Sequence, residues 1–158
     1  MKMDFELQQK IHRLYAKYAS TLDDGPLQDW PKLFVEESLY LLIPRDNYDE
    51  NLPMAIMRCE SRGMLEDRVA AVQNTIMHEP RYLRHHITNI DAQLTDQGVV
   101  TATANYSVIE VVEGDLPKIL SVGRYIDKIV MVDHALKFVE KKVIYDSVLV
   151  PNTIVYPI

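Results

Sequence analysis

The chain has 158 residues, 47% hydrophobic and 25% charged, and its 17 Lys and Arg against 23 Asp and Glu leave a formal net charge of −6, without the phosphate-neutralising surface that a nucleic-acid partner requires. Its five glycines, Gly25, Gly63, Gly98, Gly114 and Gly123, are too scattered for a G-x-G-x-x-G turn or a P-loop, which excludes a Rossmann dinucleotide site and a Walker-type NTPase. The single cysteine, Cys59, excludes thiolate zinc clusters, iron–sulfur cages and an internal disulfide, and it fits a reducing cytoplasm.

This length predicts one domain over residues 1–158, able to bury roughly 70% of its unfolded surface. The opening Met1-Lys2-Met3-Asp4-Phe5-Glu6 is acidic where a signal peptide needs an apolar core. No segment approaches about 20 uninterrupted apolar residues. The expectation is a soluble cytoplasmic protein, neither exported nor membrane-spanning.

From Asp4 to Leu22 the residues Leu7, Ile11, Leu14, Tyr15, Tyr18 and Leu22 recur on one face of an α-helix. Asp4 is placed to cap its start, and Asp23-Asp24-Gly25-Pro26 to end it. A short helical piece follows, with Trp30, Leu33 and Phe34 on one side and Pro31 near its beginning. Ser38–Ile43 reads as a buried strand closed by Pro44, and the acidic stretch Arg45–Pro53 as a surface loop. Between Ser61 and His78, Leu65, Val69, Val72 and Ile76 restore helical spacing. Glu66 and Asp67 are expected in the first turn, and Glu79-Pro80 forbids continuation.

The second half changes character. Strand-rich stretches near 84–95, 99–112, 118–132 and 136–150 are separated by hairpin-length connections at Asp96-Gln97-Gly98, Glu113-Gly114-Asp115 and Val132-Asp133-His134. Val100, Ala102, Ala104, Tyr106 and Val108 alternate with Thr101, Thr103, Asn105 and Ser107, the period of a half-buried antiparallel strand. Fourteen such residues span roughly 46 Å. A sheet with arms that long twists and curls, and the two N-terminal helices are available to fill the curl. The predicted fold is therefore α+β, a curved antiparallel sheet wrapped around N-terminal helices: an NTF2-like, SnoaL-like or ketosteroid-isomerase-like cone.

A cone has a mouth, and polar residues near it are the candidates for chemistry. His85 and His86 are adjacent on a strand, so they point to opposite faces and do not chelate one ion. His78-Glu79 is not H-E-x-x-H, because Arg81 and Tyr82 stand where the second histidine is needed. His12 falls on the polar side of the first helix and His134 at a turn. An isomerase or dehydratase would use Asp23 or Asp24 as base, Tyr40, Tyr106 or Tyr125 as donor, and His85 or His86 as second acid. Against it, Asp23-Asp24-Gly-Pro is a good helix terminus and tyrosines are common core residues. Cys59 has no identifiable base. Met54, Ile56, Met57 and Met64, the Pro80–Arg84 segment and the apolar tail Val150–Ile158 instead suggest contact surfaces.

These residues also carry a resemblance. Leu22-Asp23-Asp24, Asp29–Phe34, Tyr40–Asn47, Asp67-Arg68-Val69, Arg81–Asn89, Gly123–Lys128 and Val143–Asp146 resemble, in order and spacing over nearly the whole chain, the small (β) subunit of Rieske non-haem-iron aromatic-ring-hydroxylating dioxygenases. The resemblance implies a cone fold and a mainly structural, non-catalytic subunit of an α3β3 hexamer. In that assembly the large subunit carries the Rieske [2Fe–2S] cluster and the mononuclear Fe(II), and NAD(P)H acts through separate electron-transfer components. It implies no cofactor or metal in this chain, and contacts with the large subunit and with other small subunits, for which Arg81, Tyr82, Arg84, His85, Arg45 and Arg68 are the expected residues. Within the family, the short N-terminus and the Pro44–Asp49 segment are most similar to subunits of enzymes acting on benzoate-type acids, of the salicylate 5-hydroxylase, anthranilate and terephthalate dioxygenase types.

Overall fold

Asp4 begins the first helix: its carboxylate accepts the Leu7 N–H at 2.9 Å, and α1 runs over Phe5–Asp23. The computed structural model describes residues 3–74, 80–147, 149, 154 and 156–158. All the apolar residues of the predicted stripe on α1 are buried. Two 3-10 turns, Leu27–Asp29 and Pro31–Leu33, then carry Trp30 inward, and Phe34 opens strand β1, Phe34–Pro44, rather than extending the helical piece.

Arg45–Asp49 forms a short helix, α2, where a loop was expected. Pro44, at φ −60°, pre-sets its entry, and Arg45 and Asp49 approach to 3.7 Å one turn apart. After β2, Met57–Cys59, helix α3 covers Arg62–Asn74. It starts early enough that Glu66 and Asp67 lie beyond its first turn; the Ser61 hydroxyl accepts the Met64 N–H there, and Glu66 pairs with Arg62 at 3.6 Å. Ile76, His78 and Glu79 lie outside the described residues.

The strands β3, Arg81–Leu94, β4, Val100–Val112, β5, Lys118–Val132, and β6, Ala135–Tyr145, form the predicted antiparallel meander. The full order is β2-β1-β6-β5-β4-β3. One pairing corrects the all-antiparallel expectation: β1 runs parallel to β6, Tyr40 beside Lys141 and Leu42 beside Val143. A parallel neighbour needs a long return, and the whole stretch from α2 to β5 supplies it.

The long strands bend at irregularities in register, at Thr88/Asp91 with Asn89 at φ 53°, at Val108/Ile109 and at Lys128/Ile129. The β5–β6 turn uses Asp133 and His134, both with positive φ, as a two-residue hairpin loop demands. The predicted face of β4 is buried throughout, while Thr101, Thr103 and Asn105 are exposed. Helix α1 lies in the curl against β3 and β6, whereas α3 packs at the rim against β1 and the 3-10 turns. Tyr15, Tyr18, Trp30, Phe34, Tyr40, Tyr125 and Phe138, all fully buried or nearly so, make an aromatic centre for one continuous hydrophobic cluster.

Candidate functional site

The inner face of the sheet continues the strand alternation, and that places charge where apolar side chains would be expected. On β5, Asp127 stands between Tyr125 and Ile129; opposite it on β6, Lys141 stands two residues before Val143. All five face the core, and the two charges meet: Lys141 Nζ lies 2.9 Å from Asp127 Oδ2, with neither side chain exposed. Tyr15, one turn before Tyr18 on α1, donates its hydroxyl to the same oxygen at 2.5 Å. Four rings enclose the ammonium: Tyr125 at 3.5 Å from its centroid, Tyr18 at 4.4 Å, Phe138 at 4.6 Å and Tyr15 at 5.1 Å.

Burial pushes the Lys141 ammonium down to about 8 against the opposing pull of Asp127. It also pushes the Asp127 carboxyl up, against the pull of Lys141 and Tyr15. Burial works against both charges, and their mutual attraction and the ring faces around the ammonium oppose it. Asp127 Oδ1 and the Tyr125 hydroxyl remain buried without a hydrogen-bond partner. Sequence reasoning passed over this cluster, although a signal existed: an Asp and a Lys in phase with the apolar face of neighbouring strands.

The donors proposed for an isomerase are all inside. Tyr106 bonds Ser121 Oγ at 2.9 Å and stacks on Tyr125 at 4.6 Å. Tyr40 donates to the Ile158 backbone oxygen at 3.1 Å and accepts the Ile158 N–H at 3.0 Å. Tyr18 donates to the same oxygen at 2.7 Å. Of the apolar tail, Tyr156, Pro157 and Ile158 therefore pack on this chain; Val150–Thr153 and Val155 lie outside the described residues.

Asp23 and His85 are joined as the isomerase reading requires. His85 Nδ1 lies 2.6 Å from Asp23 Oδ1, and the His85 backbone N–H donates to the same carboxylate at 2.9 Å and 3.1 Å. A general base must reach its substrate. The His85 ring is fully buried, however, and its Nε2 has no partner. A cleft of about 560 Å³ beside it is lined by Asp23, Asp24, Arg81, Leu83 and Tyr156 among others, and His85 is not part of that lining. His86 points outward on the opposite face, exposed.

The expected contact residues divide. Tyr82 is 68% exposed and Arg84 half-exposed, the latter paired with Asp24 at 2.8 Å. Arg81 pairs with Glu110 in a largely covered position. Arg45 lies at the same end of the sheet, 3.3 Å from Asp146, and Arg68 is half-buried on α3. His85 is internal, so it supports this surface from beneath. Cross-strand register sets Tyr82 beside Val111, and Arg84 beside Ile109 and then Ile119, which is 71% exposed. Met54, Ile56 and Met64 are exposed as expected of contact material, but Met57 is buried in β2.

Among the described residues, no three His, Cys, Asp or Glu side chains gather to hold a metal ion, and no helix is long and apolar enough to cross a membrane. A Rieske centre needs two cysteines and two histidines, and the lone, buried Cys59 does not fit it.

Residues 17–152 match the family model described as the ring hydroxylating beta subunit. The chain is 30% identical to the anthranilate 1,2-dioxygenase small subunit of Burkholderia cepacia, over all of this chain and 96% of the relative. It is 27% identical to the beta 2 subunit of the terminal oxygenase component of terephthalate 1,2-dioxygenase from a Comamonas species, over 94% of this chain and 97% of that one. A crystal structure from Novosphingobium aromaticivorans, assigned as the beta subunit of an aromatic-ring-hydroxylating dioxygenase, superposes with a TM-score of 0.86 at 32% identity, covering 96% of this chain and 95% of that one. A protein of the same organism assigned as a scytalone dehydratase shares the fold, with a TM-score of 0.66 at 19% identity over 87% and 82% of the two chains.

Proposed function

The chain belongs to the ring-hydroxylating beta-subunit family, and from that premise we propose that it is the non-catalytic small subunit of an oxygenase that hydroxylates a benzoate-type aromatic acid. The observation that carries the reading is the state of the cone. The interior where a standalone isomerase would bind substrate is occupied by the Lys141–Asp127 pair, its rings and Ile158, and of the Asp23–His85 pair only Asp23 reaches the cleft, the His85 ring being fully buried. A domain with an enzyme's shape and a filled interior contributes surface rather than chemistry.

The partner is a large subunit carrying the Rieske cluster and the mononuclear iron, assembled with this chain as an α3β3 hexamer in the cytoplasm. Electrons arrive from NAD(P)H through separate components. Supporting the choice of surface is the end of the sheet where Tyr82, Ile119 and Leu116 are exposed beside Arg84, with Arg81 and His85 covered next to them; Arg45 lies at the same end of the sheet beyond β1, and Arg68 lies apart on α3. Exposed apolar side chains mixed with arginine are the composition of a protein interface.

The test is co-expression with the large-subunit gene, followed by size-exclusion chromatography and iron analysis. The expected result is one complex holding all the iron, with the small subunit alone free of iron and inactive on aromatic acids. Tyr82→Glu with Arg84→Glu should weaken co-purification by about tenfold or more while leaving the isolated chain folded. Failure of the wild-type chains to associate, or an oxidation or isomerisation catalysed by the small subunit alone, would overturn the reading.

A further inference from the structure

The cleft that Asp23 lines continues into a second hollow. The first, about 560 Å³, is walled by the end of α1, the loop after it and the start of β3; the second, about 280 Å³, lies between α3 and the 3-10 turns, against Pro31, Glu66 and Val69. Gln28 and Gln73 line both, so one groove runs from Glu66 along α3 to Asp23. Leu27, Val72 and Leu83 give it buried apolar walls, and the exposed Gln28 and Gln73 give it amides. Its charges are not equally matched. Asp24 is met by Arg84, the Arg81 guanidinium in the wall by Glu110, and Glu66 at the far end by Arg62. Asp23 differs: its side chain is only 9% exposed, its partners are the His85 amide and ring, and among the described residues no lysine or arginine pairs with it. A carboxylate so deeply placed gains from a full cation, and the groove is the side from which one reaches it.

We propose that the groove receives an arginine side chain carried on an extended segment of the large subunit, with its guanidinium seated against Asp23. The proposal rests on the reading of this chain as a small subunit and states what part of the partner it holds. Continuity selects that occupant: Arg81 and Leu83, on either side of the exposed Tyr82, form the cleft wall, and Asp24 at the cleft holds Arg84. A segment lying on the Tyr82–Arg84 surface therefore runs directly into the groove. Arginine fits better than lysine, because the Asp23 oxygens already accept from His85 and the remaining acceptors are spread over that carboxylate and two glutamine amides. Such a spread matches a planar fork of five N–H donors rather than a point charge. The aliphatic stem lies on Leu27 and Val72. Glu66 and Gln73, about two helical turns apart on α3, give the flanking residues about 10 Å more of groove.

The test changes the charge of the groove at Gln73, an exposed helical position where lysine and glutamate are about as helix-compatible as glutamine. Co-purification with a tagged large subunit is compared for the wild type, Gln73→Lys and Gln73→Glu, with melting of each isolated chain as the folding control. Gln73→Lys sets an ammonium in the groove and should weaken association about tenfold or more, Gln73→Glu should not weaken it, and the gap should narrow in about 0.5 M salt. Equal effects of the two variants on a complex that forms would overturn the groove and leave the subunit reading intact. The second arm titrates the isolated full chain with N-acetylarginine amide, followed by the backbone NMR signals of Asp23, Gln28 and Gln73. Saturable shifts that N-acetylglutamine amide does not produce support the proposal, and their absence overturns it. Failure of the wild-type chains to associate overturns the subunit reading and with it the large subunit as the source of the arginine, and the titration then decides the guanidinium site by itself.

Discussion

Lys141 and Asp127 are both fully buried and only partly satisfied, since Asp127 Oδ1 has no partner. Removing one charge strands the other, so Lys141→Met alone should destabilise the chain by about 3–5 kcal/mol, whereas adding Asp127→Leu should recover most of that loss. A double-mutant cycle in urea measures this. The pH dependence has a defined sign. With its folded value lowered to about 8 from the ordinary 10.5, Lys141 has released its proton in the folded chain at a pH where the unfolded chain still holds it. Stability should therefore rise between about pH 8 and 10, by at most about 1.4 kcal/mol per pH unit. Higher still, the buried tyrosines, whose hydroxyls burial raises above their ordinary range, reverse the trend as the unfolded chain ionises. Lys141→Met should abolish the rise and keep the later fall.

Strand β3 stands at the edge of the sheet, and edge strands expose backbone groups that invite wrong pairing. The end of α1 covers part of this edge. Asp23 takes the His85 N–H and the His85 ring, and Asp24 takes Arg84. The two neighbouring carboxylates therefore do different work: Asp23 is nearly buried and Asp24 exposed. Asp23→Ala should lower stability by about 2–3 kcal/mol and speed hydrogen exchange at the His85 amide, because a buried donor is left unmade. Asp24→Asn should change stability by less than about 1 kcal/mol, as for an exposed pair. In the assembled oxygenase neither substitution should reduce turnover per complex, whereas a catalytic base would lose orders of magnitude. The turn signal Asp23-Asp24-Gly25-Pro26 was legible in the chain; the strand it caps lies 62 residues away, and nothing local announces it.

At the scale of the molecule, the close pairing of β5 with β6 rests on Gly123. A Cβ built there would sit 1.9 Å from the Ile144 backbone oxygen, so β5 and β6 approach as only glycine permits. Gly123 also stands opposite Tyr106 of β4, whose ring stacks on Tyr125. Gly123→Ala should cost more than about 4 kcal/mol or prevent soluble expression, and with it co-purification of any large subunit. Gly98 and Gly114, at positive φ in turns with open space around them, should tolerate alanine with smaller losses. In a chain so poor in glycine, the one within a strand marks where a neighbouring backbone leaves no room for a side chain.

Local rules determined α1, its Asp4 cap, the buried face of β4 and the β5–β6 turn, because each depends on residues within a few positions of one another. The length of the later strands and their alternation were enough to imply a curved sheet around a helix. Tertiary structure alone decided that β1 runs parallel to β6, that Arg45–Asp49 coils into a helix, and that Asp23 meets His85. It also decided that a lysine, an aspartate and Ile158 are buried among the inner aromatic rings. Those outcomes depend on which distant surfaces are buried together. Desolvation and ring contact act on a side chain only once the sheet has closed over it.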